Sequence, residues 1–309
     1  MVVGESVSKK SNMKTKRLRQ NVFLFFFLLF PMLQFVVFYI GVNFNSFILA
    51  FQKIENGVYV FNGFNTFGDV LKDIFVTGEL TKAIKNSAIQ FIFSLLIIPI
   101  NIMTAYGIFK KIPFSGFFKI MLFMPNMISS LVFVACATYL IRDGFQIIFN
   151  NPDLRLLNTL EDSSFYTVLV FGLWMQFASG LVIYLGAMGS ISQEVMEYGK
   201  IENLSTIKEL WYVVIPLIFP TITTYLVVSF AGFFSNYGFF HSFFGGTAST
   251  GNTPYDTLGY VFFVKILGDK VQASDYSYAA AGGLLFTAIV APITLFTKSL
   301  LEKYGPSEE

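Results

Sequence analysis

Charged residues, histidine and cysteine are scarce in this chain. Asp, Glu, Lys and Arg make up 13% of its 309 residues, and there is one histidine and one cysteine. A lone cysteine, Cys136, excludes an intramolecular disulfide, and its apolar neighbours predict a small buried side chain. The scarcity of charge, beside 54% hydrophobic residues and 39 phenylalanines, excludes the composition of an ordinary soluble domain.

The runs that lack charge are long enough to cross a bilayer, whose hydrocarbon core takes a helix of about 20 apolar residues. Six such spans are predicted: Val22–Phe51, Asn86–Phe109, Ile120–Ile141, Phe165–Ser190, Leu210–Phe240 and Tyr276–Thr297. Five of them contain proline, which favours kinked helices. The predicted fold class is therefore all-α, an integral membrane bundle of six transmembrane helices.

Three further absences narrow the mechanism. The predicted spans contain no Asp, Glu, Lys, Arg or His, whereas ion-coupled transporters keep such residues within their spans. The sequence has no G-x-x-x-x-G-K-[ST] loop, so the chain cannot hydrolyse ATP by itself. It also lacks the acidic or histidine cluster at a span end that an enzyme acting on lipid-linked substrates would need. Uphill transport by this chain would therefore take its energy from a partner at a cytoplasmic contact.

Basic residues predict that both termini are cytoplasmic. Six of them precede the first span, and with that end inside, thirteen of the 21 basic residues lie on the cytoplasmic side, as the positive-inside rule requires. The first apolar stretch is too long for a cleavable signal and has no A-x-A site. The predicted organisation is a cytoplasmic basic segment (1–21), a six-span domain (22–300) and a cytoplasmic tail (301–309).

The segment between the fourth and fifth spans, 191–221, is charged and amphipathic. Read as a helix, it has an apolar face and a charged face, formed respectively by Ile191, Val195, Tyr198 and Ile201 and by Glu194, Glu197, Lys200 and Glu202. Such a helix can lie on the inner leaflet. Three glutamates against one lysine are repelled by anionic lipid, however, so the pattern favours a surface that docks a protein.

This segment resembles the EAA loop of ABC importer membrane subunits, which begins with E-A-A, continues through a glycine and ends in L-P. Glu197-Tyr198-Gly199 stands at E-A-A, Glu202-Asn203 at the usual Asp-Gly, and Ile215-Pro216 at L-P, followed by Pro220. Asparagine enters the left-handed region at modest cost, so Asn203 is expected to keep the turn. The resemblance implies a cytoplasmic coupling helix whose ATPase-coupling residues are Glu194, Glu197, Tyr198, Gly199, Glu202, Asn203, Ile215 and Pro216.

Weaker landmarks of the same family follow in order along the chain. They are Lys85-Asn86-Ser87, Phe114–Lys119 with Met124-Pro125, Asn158, Trp174, Gly245-Gly246-Thr247, Tyr255-Asp256-Thr257 and Tyr276–Gly282. The last two and the Gly-Gly turn look like those of carbohydrate permeases, which import oligosaccharides or polysaccharide fragments across the bacterial plasma membrane.

The resemblance also implies the partners. These are a second homologous permease, two cytoplasmic ABC ATPases that bind the ATP and Mg²⁺, and an extracellular lipid-anchored solute-binding protein. No cofactor is expected in this chain, and no nucleic acid among its partners.

In this family the end of the fifth span contributes to the substrate cavity of subunits that hold sugar. Here Ser229, Gly232, Phe233, Asn236 and Tyr237 recur at helical steps and are predicted to face one cavity. The alternative is that Ser229 and Asn236 only bond to neighbouring helices or backbone. Two other functions also stay open: a permease for another solute such as phosphate, peptide or amino acid, and a membrane scaffold or enzyme acting on lipid-linked substrates.

Overall fold

The computed structural model describes residues 3–151, 156–158, 161–245 and 253–306. Gly246 and Thr247, which belong to the landmark Gly245-Gly246-Thr247, lie outside these residues. The helices are α1 (Val3–Gln34), α2 (Val42–Ala50), α3 (Asn65–Phe75), α4 (Thr81–Phe109), α5 (Ser115–Met127), α6 (Ser130–Tyr139), α7 (Phe145–Ile148), α8 (Ser163–Gly189), α9 (Gln193–Ile201), α10 (Thr206–Glu209), α11 (Ile215–Ala231), α12 (Phe240–Phe244), α13 (Leu258–Leu267) and α14 (Ala273–Tyr304). Strands β1 (Gln52–Glu55) and β2 (Val58–Phe61) form a hairpin between α2 and α3.

Among the described residues, six helical segments are long and apolar enough to cross a membrane, which confirms the predicted fold class. Numbered spans 1 to 6, they are Arg19–Ala50, Thr81–Phe109, Ser130–Ile148, Ser163–Gly189, Thr206–Ala231 and Ala273–Tyr304. Spans 1, 3 and 5 each contain a π-helical segment, at Phe35–Gly41, Leu140–Gly144 and Leu210–Val214. The third of these ends just before Pro216, which cannot donate a backbone hydrogen bond and crowds the preceding turn.

The prediction of a continuous third span over Ile120–Ile141 is wrong. Helix α5 ends at Met127, Ile128 is extended with φ −94° and ψ 142°, and α6 begins at Ser130. Pro125, in the last turn of α5, removes one backbone donor and so weakens the helix where it ends. The apolar segment then continues to Ile148 through Arg142 and Asp143, so this span carries charge near its end.

The predicted end of the fifth span at Phe240 is also wrong. Helix α11 ends at Ala231, and Phe240 begins the separate short helix α12. A turn joins the two helices through Gly238, whose φ of +51° favours glycine. Cys136, predicted to be buried, is exposed on α6.

Spans 2, 4 and 5 form the part of the bundle that positions the site. Helix α4 packs along α8, and Gly180 allows the closest approach. A Cβ atom built on Gly180 would lie 3.0 Å from Cγ of Asn101, whose side chain is fully buried. Toward α9, these spans enclose an apolar cluster that includes Tyr106, Tyr184 and Val214. Span 1, by contrast, buries none of its apolar window within this chain.

Candidate coupling surface and translocation cavity

The helix predicted in the segment between spans 4 and 5 is present as α9, but its faces differ from those predicted. Ile191 and Met196 pack against the apolar cluster of spans 2, 4 and 5, and Gly199 is buried. Val195, Tyr198 and Ile201, predicted to share the face of Ile191, are exposed instead. The bulky Tyr198 ring is thus accommodated at the surface, since the close packing falls on its neighbour Gly199.

The acidic residues of the segment lie on the same exposed surface. Glu194, Glu197 and Glu202 are exposed, and none of them forms an ion pair with a side chain that the structure describes, a set that leaves out Lys200. Acidic side chains therefore stand beside the uncovered rings and aliphatic groups of Tyr198 and Ile201. This combination suits a protein partner with basic groups around an apolar groove.

The turn after α9 has the predicted left-handed residue. Asn203 has a φ of +53°, and the Leu204 amide donates to the Gly199 carbonyl at 3.2 Å. Ile215 and Pro216, by contrast, are partly buried in the first turn of α11 within span 5. They thus belong to span 5 rather than to α9, and their role in ATPase coupling stays a prediction.

A cavity of about 430 Å³ opens between spans 2, 4 and 5, at the ends of these spans that are remote from α9. Four of the five residues predicted for the substrate path line it, namely Ser229, Gly232, Phe233 and Asn236. They do not share one helical face, because α11 ends at Ala231 and the following turn brings Asn236 to the cavity. Tyr237 lies outside the lining, and its ring stacks on Phe263 with a centroid distance of 4.4 Å.

Most of the polar lining of the cavity was not predicted from the sequence. Hydroxyl and amide side chains from all three spans face the cavity, and those not predicted are Ser87, Gln90, Ser94, Gln176, Ser179 and Tyr225. Phenylalanine rings stand between them, including Phe91, which meets Phe233 edge to face at 5.2 Å. Among the described residues, no Asp, Glu, Lys, Arg or His lines the cavity. The overlooked signal was polar residues three or four apart in apolar runs, which share a helix face.

Backbone groups use only part of the hydrogen-bonding capacity of the predicted polar pair. The Ser229 hydroxyl donates to the Tyr225 carbonyl at 2.9 Å, and Oδ1 of Asn236 accepts from the Gly238 amide at 2.7 Å. The Asn236 amide nitrogen donates to no described residue, and the Ser229 oxygen keeps its acceptor lone pairs. Backbone bonding thus orients both side chains and leaves donors and acceptors for a ligand.

Three hydrogen bonds hold the rim of the cavity. Nδ2 of Asn86 donates to the carbonyls of Pro254 and Asp256 at 2.9 and 2.8 Å, and the Leu258 amide donates to the Ser87 hydroxyl at 2.9 Å. The start of α13 also presses on the turn that carries Asn236, since a Cβ on Gly259 would lie 2.6 Å from the Asn236 carbonyl carbon. The segment before α13 is thereby fixed against span 2 beside the cavity.

Residues 97–307 match the family described as the binding-protein-dependent transport system inner membrane component. The chain belongs to this family. It is therefore a multi-pass membrane permease of an ABC transporter, a transporter component rather than an enzyme, and it works with a solute-binding protein.

Similar proteins span nearly the whole chain. The arabinooligosaccharides transport system permease protein AraP of Bacillus subtilis (strain 168) is 21% identical, over 87% of this chain and 85% of its own length. The multiple sugar-binding transport system permease protein MsmF of Streptococcus mutans is 23% identical, over 90% of this chain and 94% of its own length. Among solved structures, a chain of a bacterial ABC transporter involved in alginate import superposes with a TM-score of 0.73. It is 19% identical and the match covers 94% of this chain and 99% of that one, which confirms the fold.

Proposed function

We propose that this chain forms half of the translocation pathway of an ATP-driven importer for an oligosaccharide or polysaccharide fragment. The observation that carries the proposal is the cavity, where uncharged hydroxyl and amide groups alternate with phenylalanine rings. Sugars present both hydroxyl groups and apolar C–H faces, which such a lining matches. Relatives named for oligosaccharide and multiple-sugar transport support the same substrate class.

The proposal includes the partners that the resemblance implied. Two ABC ATPases, which hold the ATP and Mg²⁺, dock on α9 and the exposed residues Glu194, Glu197, Tyr198 and Glu202. A second homologous permease completes the pathway, and the uncovered span 1 leaves a long apolar surface for it or for lipid. A lipid-anchored binding protein delivers the sugar from outside, and both termini lie in the cytoplasm.

The working cycle is alternating access between two arrangements of the spans. Closure of the ATPases on ATP displaces α9, which packs through Ile191 and Met196 on spans 2, 4 and 5. These spans carry the cavity at their opposite ends. A displacement at α9 thus moves the cavity walls, and the cavity opens toward the loaded binding protein.

Other solutes fit this cavity less well than a sugar does. Phosphate and amino acids carry full charges that need cationic or anionic partners when they leave water. The described lining offers only neutral groups. A neutral carbohydrate is therefore favoured over a charged solute.

Uptake by the complete reconstituted complex tests this proposal, with labelled arabino- and galacto-oligosaccharides as neutral probes and oligosaccharides of alginate, an acidic polysaccharide, as the charged comparison. Asn236→Leu removes hydrogen bonds worth on the order of 1 kcal/mol each, so uptake of the transported sugar should fall by about fivefold. Gly232→Trp should block uptake by filling the cavity.

Tyr237→Phe is the matched control and should leave uptake unchanged, because Tyr237 lies outside the lining. Normal uptake in both cavity variants would assign the sugar site to the partner permease, and no uptake of any probe by the unaltered complex would refute the carbohydrate assignment.

A further inference from the structure

A buried ion pair joins the start of span 5, which follows α9, to the end of span 2. Nζ of Lys110, just beyond the end of α4, lies 2.9 Å from both carboxylate oxygens of Glu209, the last residue of α10. The Glu209 side chain is 4% exposed and that of Lys110 25% exposed. Among the described ion pairs it is the most buried.

The buried face of the coupling helix α9 lies beside this pair. Gly199 is buried, and a Cβ added to it would make van der Waals contact with Cγ of Glu209 at 3.8 Å, so Gly199 faces the glutamate side chain. Nearby, the Tyr106 hydroxyl of span 2 donates to the Thr206 carbonyl of α10 at 3.1 Å. Two polar contacts thus fix the end of span 2 to the start of span 5, which follows α9 in the chain.

Burying two charged groups between these helices costs free energy that apolar packing would not. Taking a carboxylate and an ammonium out of water costs more than their attraction often returns, and well-packed apolar residues of similar size are commonly as stable. What an ion pair with two short hydrogen bonds adds is a fixed register between the joined elements. Here the joined elements are span 2, which lines the cavity, and the start of span 5, which follows the proposed ATPase-docking helix α9.

We propose that Lys110 and Glu209 are positioning residues that make α9 and span 2 move as one body during the transport cycle. The inference rests on the proposed docking of the ATPases on α9. Span 2 is continuous from Thr81 to Phe109, and its far end carries Ser87, Gln90 and Ser94 of the cavity. A displacement of α9 therefore reaches the cavity through Glu209, Lys110 and the length of α4.

Spin-label distances in the complex, purified through a tag on this chain with its partner subunits, test the proposal. Labels on Ser192→Cys and Lys111→Cys, in a Cys136→Ala background, report the distance between α9 and the end of span 2. In the parent complex a single distance should persist in the nucleotide-free and the ATP–vanadate-trapped states. In the Glu209→Gln variant, the trapped state should show a second distance population.

Two double variants separate positioning from stability. Lys110→Glu with Glu209→Lys restores the pair in reverse and should restore the single distance. Lys110→Met with Glu209→Leu replaces the pair by apolar side chains, and it should assemble with unchanged thermal stability yet show the second population. These double variants answer the question even if Glu209→Gln fails to assemble.

Asp275→Asn serves as the matched control. It breaks the partly buried Lys265–Asp275 pair, which lies between α13 and α14 away from α9, and should leave the single distance intact. A single distance in the apolar double variant, or a second population in the parent complex or in Asp275→Asn, would overturn the proposal. Absence of any ATPase from the purified parent complex would instead refute the proposed function, and this inference with it.

Discussion

At the scale of single residues, one glycine determines how closely spans 2 and 4 approach. Gly180 of α8 faces Asn101 of α4, whose buried amide has no hydrogen-bond partner among the described residues. A buried polar group without a hydrogen bond costs free energy. The close packing around Asn101 therefore matters for the stability of the helix pair α4 and α8. Small residues allow this approach in membrane helices, where packing and hydrogen bonds replace the hydrophobic driving force.

Gly180→Val should destabilise the chain. The added methyl groups would meet the Asn101 side chain, and overpacking of this kind costs about 1–3 kcal/mol. Thermal unfolding of the purified permease in detergent measures the loss as a lower midpoint. Gly186→Val is the matched control on the same helix, because a Cβ there meets no atom within 4 Å. Equal midpoints for the two variants would show that Gly180 does not limit the approach.

At the scale of elements, the sequence predicts what local chemistry decides and misses what tertiary packing decides. Asn203 enters the left-handed region as predicted, because the turn depends on that residue's own backbone preference. The early end of α11 was missed, since apolar residues continue past Ala231 and periodicity alone cannot locate the turn. The hairpin β1–β2 was missed despite its signal, Asn56-Gly57, whose φ values of +52° and +81° suit a tight hairpin turn.

Residues of the candidate site were likewise predicted where a local pattern marks them and missed where tertiary packing brings them together. Motif position predicted the exposed acids of α9, and helical spacing predicted Ser229, Gly232 and Phe233 for the cavity. The other cavity walls come from spans distant in the sequence, and no local pattern shows that Gln90 and Gln176 face the same space. The Lys110–Glu209 pair was missed because its members, 99 positions apart, each stand at the end of a different span.

Glu197→Arg tests the coupling role of α9. Glu197 is exposed and without an ion pair among the described residues, so the reversal should spare the fold and disturb only the partner contact. We expect co-purification of the ATPase and its stimulation by loaded binding protein to fall, because a like charge now faces the partner's basic groups. The same reversal at Glu55, on the hairpin, is the control and should leave both measures unchanged. Normal values for Glu197→Arg would remove this residue from the coupling surface.

At the scale of the whole molecule, the order of the six spans places the two ends of the site on opposite sides of the membrane. The hairpin follows span 1 and α9 follows span 4, so three spans separate them and an odd number of crossings lies between. The cavity lies at the hairpin end of the bundle, because it is formed by the start of spans 2 and 4 and the end of span 5. Thirteen of 21 basic residues fall on the α9 side, so the positive-inside rule predicts that this side is cytoplasmic.

Thiol labelling in intact cells tests this orientation. A cysteine at Ser192, beside α9, should react with a membrane-impermeant reagent only after the inner face is exposed, and one at Asn56, at the hairpin tip, should react from outside. The background must carry Cys136→Ala, because the native cysteine is exposed on α6 and would report its own accessibility. Both new cysteines occupy exposed positions, so a missing signal reflects the membrane rather than burial. Reaction of both from one side would contradict the six-span topology. Exchange of the two patterns would keep six spans and reverse the molecule, which would put α9 beyond the reach of any cytoplasmic ATPase.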